Sequence, residues 1–527
     1  MIRELYGWQE ECLTRWFANS GKGMVQATTG SGKTLLALTA VQRLEKRLSQ
    51  NLHVKIVVPT SALMRQWHRD VKEFLSNSPK ENPPVSTLHK EIGLRGGGFK
   101  ASPDCKYMIY VINSARYELA RQILTELKRG EAVLLIADEC HRYASGQNQL
   151  IFEFSPYVEP YKDRFFSLGL SATLPSGASR RYLASVLGQK IYNYGITEAA
   201  KQHNICPYDI YHVSLSFQAP EREMYEELSE RMISLYRKLL CTYPALSALG
   251  QKERYELLRS IAGEKNRKIA ETASLYMNLS YKRKSLVALA SARTACAADL
   301  VKRLEQQEKI LIFSERTCQA DELYQLLQTY YPEKVGRYHS KMGDQANKNA
   351  LDRFRTGDIR ILIACKAIDE GIDVPDASVG IIMSGTSTQR QRIQRLGRII
   401  RKNDAKNKAL LYYLHIQETS EDTCFLPDAN EHRLFELAYD SDSRTFTNPV
   451  FDKKASLLLK EMQRINTNPE ILSEVKRCLQ TGRIKSDWLS EPDMLKEQIQ
   501  KARYASDRNY WICMKKLHDF QNSKYEL

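Results

Sequence analysis

Ala27-Thr28-Thr29-Gly30-Ser31-Gly32-Lys33-Thr34 follows the apolar pair Met24-Val25 and leads into Leu35-Leu36-Ala37-Leu38. This order of strand, glycine-rich turn and helix is what a phosphate-binding loop requires. Glycines let backbone N–H groups point inward at a polyphosphate, and the helix N-terminus adds the positive end of its dipole. In such a loop Thr29, Gly30, Ser31 and Gly32 form the cradle and Lys33 reaches the β- and γ-phosphates. The Thr34 hydroxyl is then the group that ligates Mg²⁺. The general pattern begins with Gly, whereas here the first position is Ala27.

Outward from this loop the chain repeats one pattern twice. HVKIVVP (53–59), KYMIYVIN (106–113), AVLLIADE (132–139) and RFFSLGLSAT (164–173) are continuous apolar runs separated by helix-like stretches. KILIFSE (309–315), IRILIACKA (359–367), SVGIIMSG (378–385) and ALLYYLHI (409–416) do the same later. Runs that are apolar throughout fit parallel strands covered on both faces. Two such series predict an α/β protein with two doubly wound parallel-sheet domains. Between them, about 220–300 reads as charged helix and predicts a helical insertion. The tail after 436 gives further helical stretches.

At 527 residues the chain exceeds what one hydrophobic core supports. No segment has the roughly 20 apolar residues of a membrane span, and the charged N-terminus is unlike a signal peptide. The 11 cysteines show no CxxC spacing, which argues against a zinc site and fits reduced thiols. Together these predict a cytoplasmic or nucleoid-associated protein. The net charge of +16 points to a polyanionic partner, and charge alone leaves DNA, RNA and anionic membrane open.

Asp138-Glu139-Cys140-His141 ends the run LLIADE. A carboxylate at the C-terminal end of a parallel strand, beside a phosphate loop, is placed to hold Mg²⁺; that is Asp138. Glu139 then orients and deprotonates a water. Further on, Gln394-Arg395-Leu396-Gly397-Arg398-Ile399-Ile400-Arg401 sets three arginines at spacings of three, on one helical face.

In this order the motifs resemble a superfamily 2 helicase or translocase of the DEAD/DEAH type, with a type III restriction subunit-like helicase core. The resemblance covers roughly 1–435 and implies two tandem RecA-like domains, at 1–205 and 206–435; the helical C-terminal extension at 436–527 lies outside it. In that superfamily the phosphate loop typically begins with Ala, so Ala27 is the family form. The resemblance implies an adenine contact for Gln9 and nucleic-acid contacts for Pro59, Thr60, Gln66, Asn113 and Ser114. GLRGGGFK is a further backbone-contacting stretch of the first lobe. Ser171-Ala172-Thr173 resembles the motif that links the ATP site to the nucleic acid, and ILIFSER, with Ser314, a strand-to-turn motif of the second lobe. ACKAIDEGIDVPDA (364–377) resembles motif V, with Lys366 at the nucleic acid and Gly371 and Asp373 at the nucleotide. Arg398 and Arg401 are implied arginine fingers, with Gln394 and Arg395 coupling beside them.

DECH rather than DEAD, the Cys365-Lys366 pair and TSTQRQRIQRLGRIIRKND resemble the XPB-like, DNA-directed branch; the Arg-Glu-Asp triplet is missing after Ser-Ala-Thr. The expectation is an ATP- and Mg²⁺-dependent DNA helicase or duplex translocase, in DNA repair or in restriction and phage defence. The extension is a candidate surface for a protein partner. Two alternatives stand beside it: an RNA helicase, and a nucleic-acid-sensing ATPase that gates a partner effector.

Overall fold

The computed structural model describes residues 5–76, 91–202, 204–304, 308–365, 377–384, 395, 399–400, 408–419, 421, 434–465, 467–481 and 492–524. Its contacts divide the chain into two compact units. The larger holds Met1–Ile210 and Phe217–Leu434, the smaller Tyr211–Ser216 and Phe435–Leu527.

In the larger unit, helix α1 (Gly7–Ala18) precedes β1 (Lys22–Ala27), which enters the phosphate loop and α2 (Lys33–Glu45). There follow β2 (Leu52–Val58), α3 (Ser61–Ser76), the hairpin β3 (Ile92–Gly96) and β4 (Phe99–Lys100), β5 (Tyr107–Val111) and α4 (Ile112–Lys128). The first sheet is completed by β6 (Ala132–Asp138), β7 (Phe165–Ser171), α5 (Gly177–Leu187), β8 (Lys190–Tyr194) and α6 (Ile196–Lys201). Its strand order is β4-β3-β5-β2-β6-β7-β1-β8, parallel except for the antiparallel β3–β4 hairpin.

All seven residues of β6 and of β7 are buried, as the unbroken apolar runs predict for central strands. The exception among the central strands is Lys55 in β2. It is fully buried and donates to Glu126 Oε1 of α4 at 2.5 Å.

The register decides where the chemistry lies. Val57 pairs with Ala137, Asp138 with Leu170 and Gln26 with Ser171. The C-terminal ends of β2, β6, β7 and β1 are therefore aligned in neighbouring positions. That edge of a doubly wound sheet is where ligands bind.

After β9 (Tyr208–Leu215) comes a helical insertion: α7 (Ala219–Thr242), α8 (Gln251–Ala262) and α9 (Arg267–Leu289). Leu239, Leu246, Leu258, Ile261 and Ala273 form its own small core. The insertion therefore lies before the second sheet's other strands, as the charged helical stretch predicts. The chain continues through α10 (Ser291–Arg303), β10 (Ile310–Ser314), α11 (Thr317–Tyr330), β11 (Val335–Tyr338), α12 (Asp344–Thr356), β12 (Ile361–Cys365), β13 (Val379–Ile382) and β14 (Ala409–Ile416). Strands β11, β12, β10, β13 and β14 are neighbours in that order and parallel.

Arg293 of α10 is buried and anchors this second lobe. It donates to Val287 O at 2.9 Å, to Leu414 O at 2.9 Å, to Met383 O and to the buried Glu421 carboxylate. A guanidinium satisfied on several sides offsets the cost of its own burial.

In the smaller unit, Tyr211 stacks on Phe435 with ring centroids 4.9 Å apart, and β15 (Leu434–Asp440) pairs antiparallel with β16 (Thr445–Thr447). Helices α13 (Pro449–Arg464), α14 (Pro469–Thr481), α15 (Pro492–Lys501) and α16 (Ala505–Lys524) bury Leu458, Met462, Val475, Leu495 and Met514 among themselves. Among the described residues, no helix is long and apolar enough to cross a membrane.

Candidate nucleotide and nucleic-acid site

The phosphate loop connects β1 to α2 with Gly30 at φ +83° and Gly32 at φ +89°. Both values lie in the left-handed region that glycine enters without a Cβ penalty. At Gly32 a Cβ would also sit 2.7 Å from Gln9 Nε2. Gln9 is buried in α1 and donates to Gly32 O at 3.0 Å, while its Oε1 accepts from Tyr6 N–H at 2.8 Å. Its role toward the loop is thus direct: it pins the glycine turn.

Lys33 Nζ donates to Ala27 O at 2.9 Å and Thr28 O at 3.1 Å, across the mouth of the turn. Ser31 Oγ donates to Thr28 O at 2.7 Å. Thr28 Oγ1 and Thr29 Oγ1 are buried without a hydrogen-bond partner in the protein. Buried hydroxyls left unsatisfied are uncommon and suit a loop built to close on a polar ligand. The nucleotide expectation fits these residues.

At the end of β6, Asp138 has both carboxylate oxygens engaged. Oδ1 accepts from the Glu139 backbone N–H at 2.9 Å and Oδ2 from the Trp67 indole at 2.8 Å. Burial, then the neighbouring Glu139 charge, pushes the Asp138 carboxyl up to about 6, against the pull of Trp67 and Lys33. A site that raises a carboxyl in this way is short of positive charge, a lack that a divalent cation would fill. Thr34, at the start of α2, is the companion ligand that the motif implies.

Glu139 adopts φ +50°, a left-handed conformation rare outside glycine. That turn brings its carboxylate to His141, with Oε2 3.2 Å from Nδ1. His141 Nδ1 also lies 2.9 Å from Ser171 Oγ. Ser171 donates its own hydroxyl proton to Thr173 O at 2.6 Å and accepts from Thr173 N–H at 3.1 Å. With that proton spent, Ser171 Oγ acts as acceptor and His141 carries its hydrogen on Nδ1. The acidic pair and Ser171-Ala172-Thr173 are therefore joined through one imidazole.

A second cluster lies at the ends of β2, β3 and β5. Thr60 follows Pro59 and caps α3, its Oγ1 accepting from Leu63 N–H at 3.3 Å. The GLRGGGFK stretch is the β3–β4 hairpin, with Gly96, Gly97 and Gly98 all at positive φ. Its turn approaches the starts of two helices. A Cβ on Gly96 would lie 2.8 Å from Ser114 Oγ, and one on Gly97 2.6 Å from Ser61 Oγ. Asn113 is exposed at the start of α4, and Gln66 is half-buried on α3. Ser61, which follows Pro59-Thr60, and Ser114, which follows Asn113, thus approach one glycine turn.

Ser314 is placed differently from these. It is buried at the end of β10, where its hydroxyl donates toward Arg316 O and Gln319 Oε1 at 3.0 and 3.1 Å. It shapes the turn from within, as Ser171 does in the first lobe. Arg395 is buried, its guanidinium 5.3 Å from the centre of the Phe313 ring. Lys366, Gly371, Asp373, Gln394, Arg398 and Arg401 lie outside the described residues.

Sequence reasoning missed Trp67 and Tyr143, and it used His141 only as a branch marker. Trp67 lies on the apolar face of α3 with Leu63, Met64 and Val71 and reads as core. Tyr143 Oη lies within hydrogen-bond reach of Val57 O (2.9 Å) and Asp138 O (2.6 Å). No periodicity marks either as a site residue.

Residues 2–176 match the family described as type III restriction enzyme, res subunit, and 292–403 the helicase conserved C-terminal domain. The DNA 3'-5' translocase XPB2 of Sulfurisphaera tokodaii is 26% identical over 424 residues, 79% of this chain and 83% of that protein. The IIH helicase/translocase subunit XPB/SSL2 of Saccharomyces cerevisiae is 23% identical over 426 residues, again 79% of this chain. The match spans only 42% of that yeast protein and 52% of its Encephalitozoon cuniculi counterpart.

Among solved structures, a fragment of a putative HsdR subunit of a type I restriction enzyme from Vibrio vulnificus shares the fold. Its TM-score is 0.50 at 16% identity, covering 83% of this chain and 69% of that one. Both halves of a helicase core occur here in order, on tandem RecA-like sheets that carry the phosphate loop and the acidic pair. The chain belongs to superfamily 2, the ATP-dependent helicases and translocases, and is similar to its XPB-like members.

Proposed function

We propose that this protein is a DNA-directed motor that couples ATP hydrolysis to movement along DNA, in repair or in restriction and phage defence. The observation that carries the reading is the shared sheet edge. The phosphate loop, Asp138-Glu139 and Ser171-Ala172-Thr173 stand at neighbouring strand ends, and Trp67 and His141 tie the acidic pair to its surroundings. The names of the XPB relatives, which specify DNA translocation and DNA repair, support DNA over RNA.

In this reading Thr34 and Asp138 hold Mg²⁺, and Gln9 with residues Thr29 to Lys33 hold ATP. Bound there, Mg²⁺ neutralises charge on the phosphoryl oxygens. Lys33 leaves the Ala27 and Thr28 carbonyls for the phosphates. Glu139, whose carboxylate lies beside the His141 ring, orients a water and takes its proton. Arg398 and Arg401 contact the transferring group from the second lobe, with Gln394, Arg395, Gly371 and Asp373 beside them. Pro59, Thr60, Gln66, Asn113, Ser114 and Lys366 hold the DNA backbone, and Ser314 shapes the second-lobe turn that meets it. The domain division is 1–205, 206–435 and 436–527, the last a surface for a protein partner.

The test is ATPase activity with duplex DNA, single-stranded DNA and RNA at fixed salt, together with triplex displacement. DNA stimulation with third-strand release is expected. Lys33→Ala and Glu139→Gln should each lower turnover by roughly 10² or more while remaining folded. Stimulation by RNA alone, or wild-type turnover in either variant, overturns the assignment.

A further inference from the structure

We infer that Trp67 is a positioning residue that couples the nucleic-acid-contacting helix α3 to the metal-holding carboxylate of Asp138. The inference rests on the motor reading above and adds a route between its two sites.

Trp67 is 1% exposed, and its ring belongs to the main core of the larger unit. Indole has one polar atom, a donor, and here that N–H is spent on Asp138 Oδ2 at 2.8 Å. The other Asp138 oxygen is held by the Glu139 N–H that follows it along the chain. One oxygen is thus fixed by local backbone and the other by a helix 71 positions earlier in sequence.

That helix begins at Thr60, whose hydroxyl caps it, and carries Gln66 next to Trp67. Its N-terminus also lies under the glycine turn at Gly97. The indole is rigid and closely packed, so a small shift or rotation of α3 displaces the N–H at Oδ2 rather than being absorbed by a flexible side chain. The Tyr143 hydroxyl, within reach of both Val57 O and Asp138 O, ties the backbone of the same two segments. The strand ends are therefore held together while the carboxylate orientation is left to Trp67. Coupling of this kind is reciprocal: binding at α3 alters how well Asp138 holds a cation, and the cation alters binding at α3 by the same factor.

Trp67→Phe keeps an aromatic ring in the core and removes the donor, along with the volume of the pyrrole ring. DNA affinity would be measured with and without Mg²⁺ and a non-hydrolysable ATP analogue, in wild type and variant. Nucleotide binding would be titrated with Mg²⁺ and repeated in EDTA. Wild type should show at least about fivefold coupling between the two ligands. In the variant the coupling should fall to within about twofold of none, and the Mg²⁺ needed for half-saturation should rise about tenfold. Nucleotide binding in EDTA and DNA binding without nucleotide should stay as in wild type.

Wild-type coupling together with an unchanged Mg²⁺ requirement in the variant overturns the inference. Failure of the wild-type protein to bind DNA in any nucleotide state instead overturns the motor reading. An arm independent of this variant uses ¹⁵N-tryptophan in the wild-type chain, which has five tryptophans. The Trp67 indole resonance is assigned by replacing each of the other four with Phe. It should shift on adding Mg²⁺ with the analogue, and separately on adding DNA. A resonance blind to either ligand is the contrary result.

Discussion

Asp138 shows how one side chain holds two demands in tension. Its oxygens are tied by Glu139 N–H and Trp67, yet burial still pushes the carboxyl up to about 6 from an ordinary 3.8. The folded state therefore holds this proton over a range in which the unfolded chain has released it. Stability from this group is full below about 3.8 and falls as pH rises through about 6. Asp138→Asn removes that titration, so in nucleotide-free protein its unfolding midpoint should gain on wild type between pH 4 and pH 7. Thermal unfolding of both at the two pH values checks this, and a pH-independent difference counts against it. The same residue was legible in sequence as an acidic box after an apolar run. Its indole partner was not, because a tryptophan at a helical core position looks the same whether or not its N–H has a purpose.

At the scale of elements, the buried strands were the readable part. β2, β5, β6, β7, β10, β12, β13 and β14 all coincide with predominantly apolar runs, since a strand covered on both faces has few positions to spend on polarity. The β3–β4 hairpin, β8 and β11 are short or partly exposed, and their composition resembles that of loops. Lys55 is an instructive case, because a lysine inside HVKIVVP looks tolerable only at an edge. It is instead fully buried, with burial pulling its ammonium down and pushing the Glu126 carboxyl up. The contact joins the middle of β2 to α4, which carries Asn113 and Ser114. Lys55→Met leaves the buried Glu126 without its ammonium partner, with the His53 ring nearby, and should cost about 3–5 kcal/mol in denaturant unfolding. Adding Glu126→Gln should recover a large part of that loss. A single variant as stable as wild type would show that the pair contributes no net stability.

For the whole molecule, the order of motifs carried more than any one of them. Ala27-to-Thr34 alone indicates a nucleotide, and only the register of four strand ends shows which later residues share its edge. The second lobe's arginine run was read from spacing; Arg395 is buried beside Phe313, and Arg398 and Arg401 lie outside the described residues. The net charge of +16 belongs to this scale as well. If backbone phosphates are the main contact, log affinity for duplex DNA should fall linearly with log salt. Five phosphate contacts would give a slope of about −4.5. Single-stranded DNA, whose slope per contact is smaller, should respond less steeply at equal site size. Affinity indifferent to salt would mean the surplus charge serves something other than DNA.

Lys33 rests its ammonium on the Ala27 and Thr28 carbonyls, so the loop holds its own acceptors for that charge. On the proposed reading, a phosphate that engaged this ammonium would exchange one set of acceptors for another rather than rescue a stranded charge. The same exchange runs in reverse when spent nucleotide departs, because the lysine has somewhere to return to. If the chain is the motor proposed, carbonyls that can take the lysine back would ease the release of product as well as the uptake of fuel.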